Sequence, residues 1–363
     1  MSRDLLFRLA LVAAGAAALV AAAWAGLVRM GWVLGRPPAM ALHGPLLVLG
    51  FLGVVIGMER AVGLGRRWPW IVPSLAALSV AAMLAGLRSE LPASLSTLAA
   101  GGLVAAFAYA HRLQSEAHIL VMAAGAVCWL AGGVAWVLGA AVPALVPAMA
   151  GFLGLTIAGE RLELARMVGA GTGARAVLLV LAGVVVTGAA VAGFNLDMGS
   201  RTVGAGFLGV AGWLAWRDVA RRTIRLGGIT RYMAASLLVG YVWLAAAGAA
   251  WLVEGLRPGQ LSYDAAVHAF FLGFVMSMIF AHAPVIVPAL TGVGFPYHPR
   301  LWVPLGVLHG SLLLRVAGDL VGHPPARMWG GMLNVTALAL FALVAMVNML
   351  GSRAGTLGVA GRG

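Results

Sequence analysis

Long apolar runs, separated by short gaps that contain arginine, proline or glycine, dominate this sequence. A helix that crosses the hydrocarbon core of a bilayer needs about 20 apolar residues. Open strands cannot cross lipid, and the runs lack the alternation of barrel strands. The sequence therefore predicts an all-α fold, a polytopic transmembrane helical bundle that forms a single integral membrane domain over residues 1–363. The twelve predicted spans are 5–31, 40–60, 69–88, 93–111, 117–138, 143–161, 175–195, 200–216, 231–254, 263–290, 301–321 and 328–350.

The composition excludes a water-soluble globular protein and a nucleic-acid-binding protein. The chain is 62% hydrophobic and 10% charged, whereas soluble domains contain about 25% charged residues. The net charge is +13, but all the basic residues are arginines, which lie mostly between the apolar runs. This pattern is typical of membrane topology. The predicted partner is the lipid bilayer, and the first run, which is too long for a signal-peptide core, is predicted to be a span.

The arginines orient the bundle. If the N-terminus is cytoplasmic, Arg315 lies within span 11 and the other arginines lie in the gaps on the two sides. The outside gaps then contain six: Arg29, Arg36, Arg88, Arg201, Arg257 and Arg327. The inside gaps contain seventeen: Arg3, Arg8, Arg60, Arg66, Arg67, Arg112, Arg161, Arg166, Arg175, Arg217, Arg221, Arg222, Arg225, Arg231, Arg300, Arg353 and Arg362. Because cytoplasmic gaps are rich in arginine, both termini are predicted to be cytoplasmic.

A four-residue motif recurs in the even-numbered spans. The motif is GFLG in three spans and FFLG in a fourth, at Gly50–Gly53, Gly151–Gly154, Gly206–Gly209 and Phe270–Gly273. One interpretation is an internal repeat of helical hairpins, and the other is that the glycines allow close helix packing. Glu59-Arg60 and Glu160-Arg161 end spans 2 and 6 on the same side. We expect these two charged pairs to interact across the helix ends.

Four histidines lie inside spans, where ionisable groups are costly and usually functional. His43 and His268 lie about 11 Å and about 12 Å, respectively, toward the outside from the centres of spans 2 and 10, so they share a depth. His282 lies about 21 Å further along span 10 on a similar face, and His309 lies near the middle of span 11. The other four are predicted to be solvated loop residues: His111, His118, His298 and His323.

Two imidazoles at one level, on different helices, are the arrangement that an axially ligated haem or a copper ion requires. The alternative for each is a neutral histidine hydrogen-bonded to a neighbouring helix. The sulfur atoms of methionines on span 10 are soft ligands that suit copper, although methionine usually only packs. The predicted cofactor-binding residues are His43, His268 and His309, and the predicted metal-binding residues are His282, Met276 and Met278. The single cysteine, Cys128, excludes an internal disulfide and a cysteine-ligated cluster.

Span 10 contains further signals. Pro284 and Pro288 are expected to disrupt its C-terminal half and to free backbone carbonyls near His282. Broken helices of this kind line solute sites in transporters. Asp264 lies at the outer end of the span, either as a hydrogen-bonding support for a ligand or only as an N-terminal charge.

These residues resemble the NnrS family of bacterial membrane proteins. The second span of that family carries His-x-His-Glu-Met followed by Gly-Phe, and here His43 and Gly50-Phe51 match. A later span of the family begins with His-Ala and has a glycine five positions after the histidine, as do His268, Ala269 and Gly273. The resemblance implies twelve spans in the bacterial cytoplasmic (inner) membrane, haem and copper, and a link to nitric oxide stress.

The chain also departs from that family. Pro45 takes the place of the second histidine, Leu46 and Leu47 replace Glu-Met, and residues 289–294 read ALTGVG where the family has Gly-His-Thr-Gly. The loss of one histidine favours haem over copper. The spaced histidines also resemble the catalytic subunit of haem-copper oxidases and nitric oxide reductases, but the adjacent His-His pair of those enzymes is missing.

Three functions remain open at this point. The first is a haem protein, with or without copper, that acts in nitric oxide tolerance or redox handling. The second is a cofactor-free secondary transporter with a solute or proton path through His282 and His309. The third is a structural or assembly subunit that needs none of the histidines. Catalytic residues, enzymatic activity and oligomeric state stay unassigned, and no motif for a soluble partner is present.

Overall fold

In the computed structural model, residues 3–37, 39–166 and 171–360 are described, and within these ranges the backbone forms helices and turns without a strand. The all-α bundle is therefore confirmed, and a long helix lies at each of the twelve predicted positions. These helices are α1 (Arg3–Arg29), α2 (Met40–Leu64), α3 (Trp68–Leu84), α4 (Glu90–Leu113), α5 (Ala117–Val137), α6 (Val142–Arg166), α7 (Thr172–Ala192), α8 (Leu196–Arg217), α9 (Gly228–Glu254), α10 (Leu261–His268, Ala269–Val275 and Met276–Thr291), α11 (Pro299–Leu320) and α12 (Pro324–Ala360).

Ten of these helices are long and apolar enough to cross a membrane. The other two are α3, which is shorter, and α8, which contains Asp197, Arg201 and Arg217. The chain is thus a multi-pass membrane protein. The orientation of the bundle relative to the two sides of the membrane stays a prediction, and Arg362, one of its inside arginines, lies outside the described residues.

Helices that follow one another in the chain pack against each other as antiparallel neighbours, most extensively α5 with α6, α11 with α12, α8 with α9 and α7 with α8. The centre of the bundle is formed by α6 and α10, whose most apolar windows are 78% and 67% buried, respectively. The least buried helices are α1 and α12, at 28% and 17%. The helices with most of the predicted ligands and charges therefore lie inside the bundle, away from lipid.

Two π-helical segments interrupt the α-helical hydrogen bonding, at Leu46–Leu52 in α2 and at Ala269–Val275 in α10. Segments of this kind are rare and occur frequently at functional sites. His43 lies shortly before the first segment and His268 directly precedes the second. The expectation that the prolines disrupt α10 is wrong, because Met276–Thr291 remains α-helical through both of them. The irregular part of α10 lies in its middle.

The recurring motif brings three helices into close contact. The ring of Phe207, from the motif in α8, stacks on Phe270 of α10 with centroids 4.7 Å apart and planes 15° apart. Gly154 of α6 faces the edge of the same Phe207 ring. The structure therefore shows close packing through small and aromatic motif residues, while a common origin of the hairpins stays a prediction.

Candidate functional site

At the N-terminal end of α10, His268 is held in one orientation. Its Nδ1 lies 2.8 Å from the backbone carbonyl oxygen of Asp264. Because a carbonyl oxygen only accepts, Nδ1 carries the proton and Nε2 keeps its lone pair. The Nη2 atom of Arg315 lies 3.1 Å from that Nε2 and 3.2 Å from Nδ1. The guanidinium is therefore in contact with the imidazole ring but does not lie along the lone pair of Nε2.

The same end of the bundle holds an ion-pair network that we call the outer cluster, after its predicted orientation: Asp264, His268, Arg315, Asp319 and Arg327. Arg315 donates from Nε and Nη2 to one carboxylate oxygen of Asp264, at 3.1 and 2.9 Å. Arg327 lies 3.6 Å from the other oxygen of Asp264 and 2.9 Å from Asp319. Asp264 is thus a partner of Arg315 and His268 as well as an N-terminal charge of α10.

His43 reaches this end of the bundle from α2. Its Nδ1 is buried and has no hydrogen-bond partner in the described part of the chain. The ring lies within electrostatic range of His268, Arg315 and Asp264, and also of Arg29 at the end of α1. The two histidines that the sequence placed at one depth therefore lie at the same end of the structure, on helices far apart in sequence.

His309 lies apart from this pair, beside the middle of α10. The indole nitrogen of Trp243 donates to its Nδ1 at 3.0 Å. An indole N–H only donates, so the proton of His309 is on Nε2, which lies 3.4 Å from the hydroxyl oxygen of Ser277. Both ring nitrogens are engaged, and ligation by His309 would require a change of partners.

His282 lies near the C-terminal end of α10 and repeats the arrangement of His268. Its Nδ1 lies 2.7 Å from the carbonyl oxygen of Met278, and its Nε2 lies 3.5 Å from Nη1 of Arg161. Arg161 is bound by Asp218 through two contacts of 2.6 and 3.0 Å, and both side chains are buried. A copper ion at His282 would have to displace this guanidinium.

The methionines predicted as soft ligands, Met276 and Met278, are both buried. Met278 contacts Nδ1 of His282 through its backbone carbonyl oxygen and not through its sulfur. Among the described residues, no group of three or more His, Cys, Asp or Glu side chains is placed to hold a metal ion. The copper site therefore stays a prediction without support from a preformed ligand set.

The expected interaction between the ends of α2 and α6 is confirmed. The Nη2 atom of Arg60 lies 2.5 Å from Glu59 and 3.1 Å from Glu160, in each case from Oε1. Arg161 turns instead to Asp218, in the loop after α8. We call these charged residues, together with His282, the inner cluster: Glu59, Arg60, Glu160, Arg161, Asp218 and His282.

Sequence reasoning placed the remaining histidines in solvent, and the structure corrects one of them. His118 is buried at the start of α5, with Nε2 4.0 Å from Glu163. His298 and His323 are exposed, and each accepts a backbone N–H at a helix start. His111 is half-buried. The missed pairing of Arg315 with Asp264 had one signal in the sequence, since an arginine inside a span needs a counterion. The missed pairing of Arg161 with Asp218 had no such signal, because Arg161 lies at the end of its span.

A cavity of about 380 Å³ lies away from both clusters, and none of the predicted ligands lines it. Its walls are formed by Gly227, Gly228, Arg231, Tyr297 and Trp302. The first three precede or begin α9, and the aromatic residues flank the start of α11. The cavity therefore belongs to the loop end of these helices and not to the buried histidines.

Comparison with known proteins adds a family but no described activity. No curated protein and no solved structure matches the chain. Residues 8–350 match the model of a domain of unknown function, DUF8744. That match includes at least part of every helix of the bundle and both charged clusters. The chain belongs to the DUF8744 family.

Proposed function

We propose that this multi-pass membrane protein holds haem between His43 and His268 and acts, like the NnrS proteins it resembles, in nitric oxide response or redox handling in the bacterial cytoplasmic membrane. One observation carries the proposal. The Nδ1 atom of His43 is buried without a partner among the described residues, within electrostatic range of His268. Leaving a buried polar atom unsatisfied costs about 1–3 kcal/mol, and an iron–nitrogen bond would remove that cost.

The tautomer of His268 fits a ligand role. Histidines that bind metals usually donate their other ring N–H to a carbonyl or carboxylate, which fixes the ring and raises the basicity of the ligating nitrogen. His268 makes this bond to the carbonyl of Asp264. Its Nε2 is therefore the ligating atom, and Arg315 would turn from that nitrogen when iron binds.

The charge of the outer cluster also suits haem. Asp264 and Asp319 are balanced by Arg315 and Arg327, and Arg29 adds a further positive charge near His43. Carboxylates bind preferentially to guanidinium groups, so Arg29 would hold one of the two propionates. Bound haem would supply one-electron chemistry and a site for a diatomic gas. The residues of this chain would bind and orient it.

Absorption spectra test this proposal. Protein purified from haem-supplied cells should show a Soret band, and His43→Ala and His268→Ala should each lose most of it because one of the two histidines that would hold the haem is gone. His298→Ala is the matched control, since that histidine is exposed on a loop and should leave the band unchanged. Folded but colourless wild-type protein, with full helical circular dichroism, would contradict haem binding.

A second candidate function, a proton or solute path, is favoured by a different observation. Polar groups lie at both ends and in the middle of α10, in the form of His268, Ser277 with His309, and His282. In this case the purified protein would be colourless and would dissipate a pH gradient in liposomes. His309→Phe should then abolish the flux, whereas His298→Ala should not.

A further inference from the structure

The inner cluster contains more negative than positive charge. Its carboxylates are Glu59, Glu160 and Asp218, and its guanidiniums are Arg60 and Arg161. Three negative groups against two positive groups leave one carboxylate without a countercharge. An unpaired charge in a largely apolar surrounding is unfavourable and is normally removed by a change in protonation.

The surplus lies on the two glutamates because they share one cation. Both Oε1 atoms contact the same Nη2 of Arg60, and the two side chains are 26% and 19% exposed. The Nη1 atom of Arg60 lies 3.6 Å from the sulfur of Met122, which is only a weak acceptor. One guanidinium can therefore balance only one of these two carboxylates.

The other groups that face this pair do not supply the missing charge. Arg161 lies within electrostatic range of Glu160, but Asp218 already occupies its Nε and Nη2. His282 lies within range of Glu59 and is kept neutral, since its Nε2 faces Arg161. Glu163 adds a further negative charge that is half-exposed and paired with His118 of α5.

A separate observation concerns the hydrogen bonding of Tyr241 on α9, whose side chain is 3% exposed. Its hydroxyl lies beside the side chains of Asp218 and Arg161 and interacts with both. Neither of them is placed for a hydrogen bond of standard geometry with that hydroxyl. Buried hydroxyls normally find a protein or water partner. The Tyr241 hydroxyl could therefore bind a water molecule that exchanges protons with the cluster.

We propose that Glu59 and Glu160 hold one proton between them, and that the inner cluster is a proton-binding site at this end of the bundle. The proton comes from water at the membrane face and bonds to one carboxylate oxygen, with no change in oxidation state. Two carboxyl groups that share a site cannot both ionise readily. The site requires no haem, so it stands whether or not the outer histidines bind iron.

Infrared spectroscopy of the full-length protein tests the proposal. Near neutral pH, the wild type should show the C=O stretch of a protonated carboxylic acid, which shifts in D₂O and disappears as the pH is raised. Glu59→Gln and Glu160→Gln should each abolish it, because the remaining carboxylate then has Arg60 to itself. Absence of the band from the wild type overturns the proposal without any variant.

Two controls assign the band. Glu163→Gln changes a half-exposed glutamate one turn from Glu160 and should leave the band in place. Asp319→Asn changes a carboxylate of the outer cluster and should also leave the band in place. A band that survives in both Glu59→Gln and Glu160→Gln, or one that Glu163→Gln removes equally, would place the proton elsewhere. Measurement on haem-free protein separates this result from the haem test.

Discussion

Arg315 and Arg161 show how this chain places charge in an apolar interior. Each guanidinium is held by an aspartate and lies against Nε2 of a histidine on α10. In each histidine, Nδ1 faces the carbonyl four residues earlier. The aspartate balances the charge, and the guanidinium also contacts the imidazole ring. Both arginines therefore tie α10 to neighbouring elements.

Removal of one member of the buried Arg161–Asp218 pair should be strongly destabilising. We expect Arg161→Met to lower the free energy of unfolding by about 3–5 kcal/mol, because Asp218 would keep its charge without a partner. Chemical unfolding in mixed micelles measures the change. Arg222→Met, at an exposed arginine, is the matched control and should leave stability unchanged.

A double variant distinguishes lost pairing from lost packing. Arg161→Met with Asp218→Leu removes both charges, so most of the lost stability should return. Equal stability of Arg161→Met and Arg222→Met would show that the pair contributes nothing to folding.

Contacts between side chains could be predicted only where the sequence repeats a pattern. The recurrence of Glu-Arg, at Glu59-Arg60 and at Glu160-Arg161, correctly indicated that the two helix ends meet. The partner of Arg161 could not be found in this way, because Asp218 lies in a loop 57 residues further along the chain. The need for a counterion is visible in a sequence, but its identity depends on how the helices are arranged.

Whole elements were more predictable than their irregularities. Apolar run length located all twelve helices because length is set by bilayer thickness. It gave no indication of the π-helical segments in α2 and α10, which depend on backbone hydrogen bonding and not on hydropathy. The prediction that Pro284 and Pro288 disrupt α10 was wrong for a related reason. Neighbouring helices can satisfy the backbone groups that a proline frees, and hydropathy does not report this.

The contact between α8 and α9 gives an element-scale prediction. A Cβ atom on Gly204 would lie 2.5 Å from the backbone nitrogen of Leu252, whereas one on Gly212 would meet open space. Alanine at a helical glycine favours the helix by about 1 kcal/mol, so Gly212→Ala should be neutral or stabilising. Gly204→Ala should be destabilising by about 1–3 kcal/mol, because backbones would be forced apart.

Thermal unfolding of the two variants in the same detergent measures this difference. The two glycines lie on one helix and undergo the same substitution, so helix propensity cancels in the comparison. Equal midpoints would show that α8 and α9 do not approach each other as closely as the structure has them.

At the scale of the molecule, burial separates helices that look alike in sequence. The apolar windows of α1 and α10 have similar mean hydropathy, 2.2 and 2.1, but they are 28% and 67% buried. Lipid tails are as apolar as a protein core, so hydropathy cannot tell which helices face lipid. The sequence predicted a shared depth for His43 and His268, but finding Arg315 beside them inside the bundle required the structure.

The path of the chain across the membrane is the last prediction, and it depends on α3 and α8. If both helices cross, the bundle has twelve spans and both termini lie on one side. If only one of them crosses, the termini lie on opposite sides. Single cysteines in a Cys128→Ser background, labelled with an impermeant maleimide, test each helix from the two loops that flank it.

With the predicted orientation, Arg88→Cys and Phe194→Cys should react in intact cells. Arg66→Cys and Arg222→Cys should react only after permeabilisation, because the arginine-rich gaps face the cytoplasm. All four positions are exposed in the structure, so access to the thiol reports the side of the membrane and not burial. Labelling of Phe194→Cys and Arg222→Cys from the same side would mean that the charged residues of α8 keep it at the surface. In that case α10 would cross the membrane in the opposite direction to α6, and the contact between Arg161 and His282 could not form.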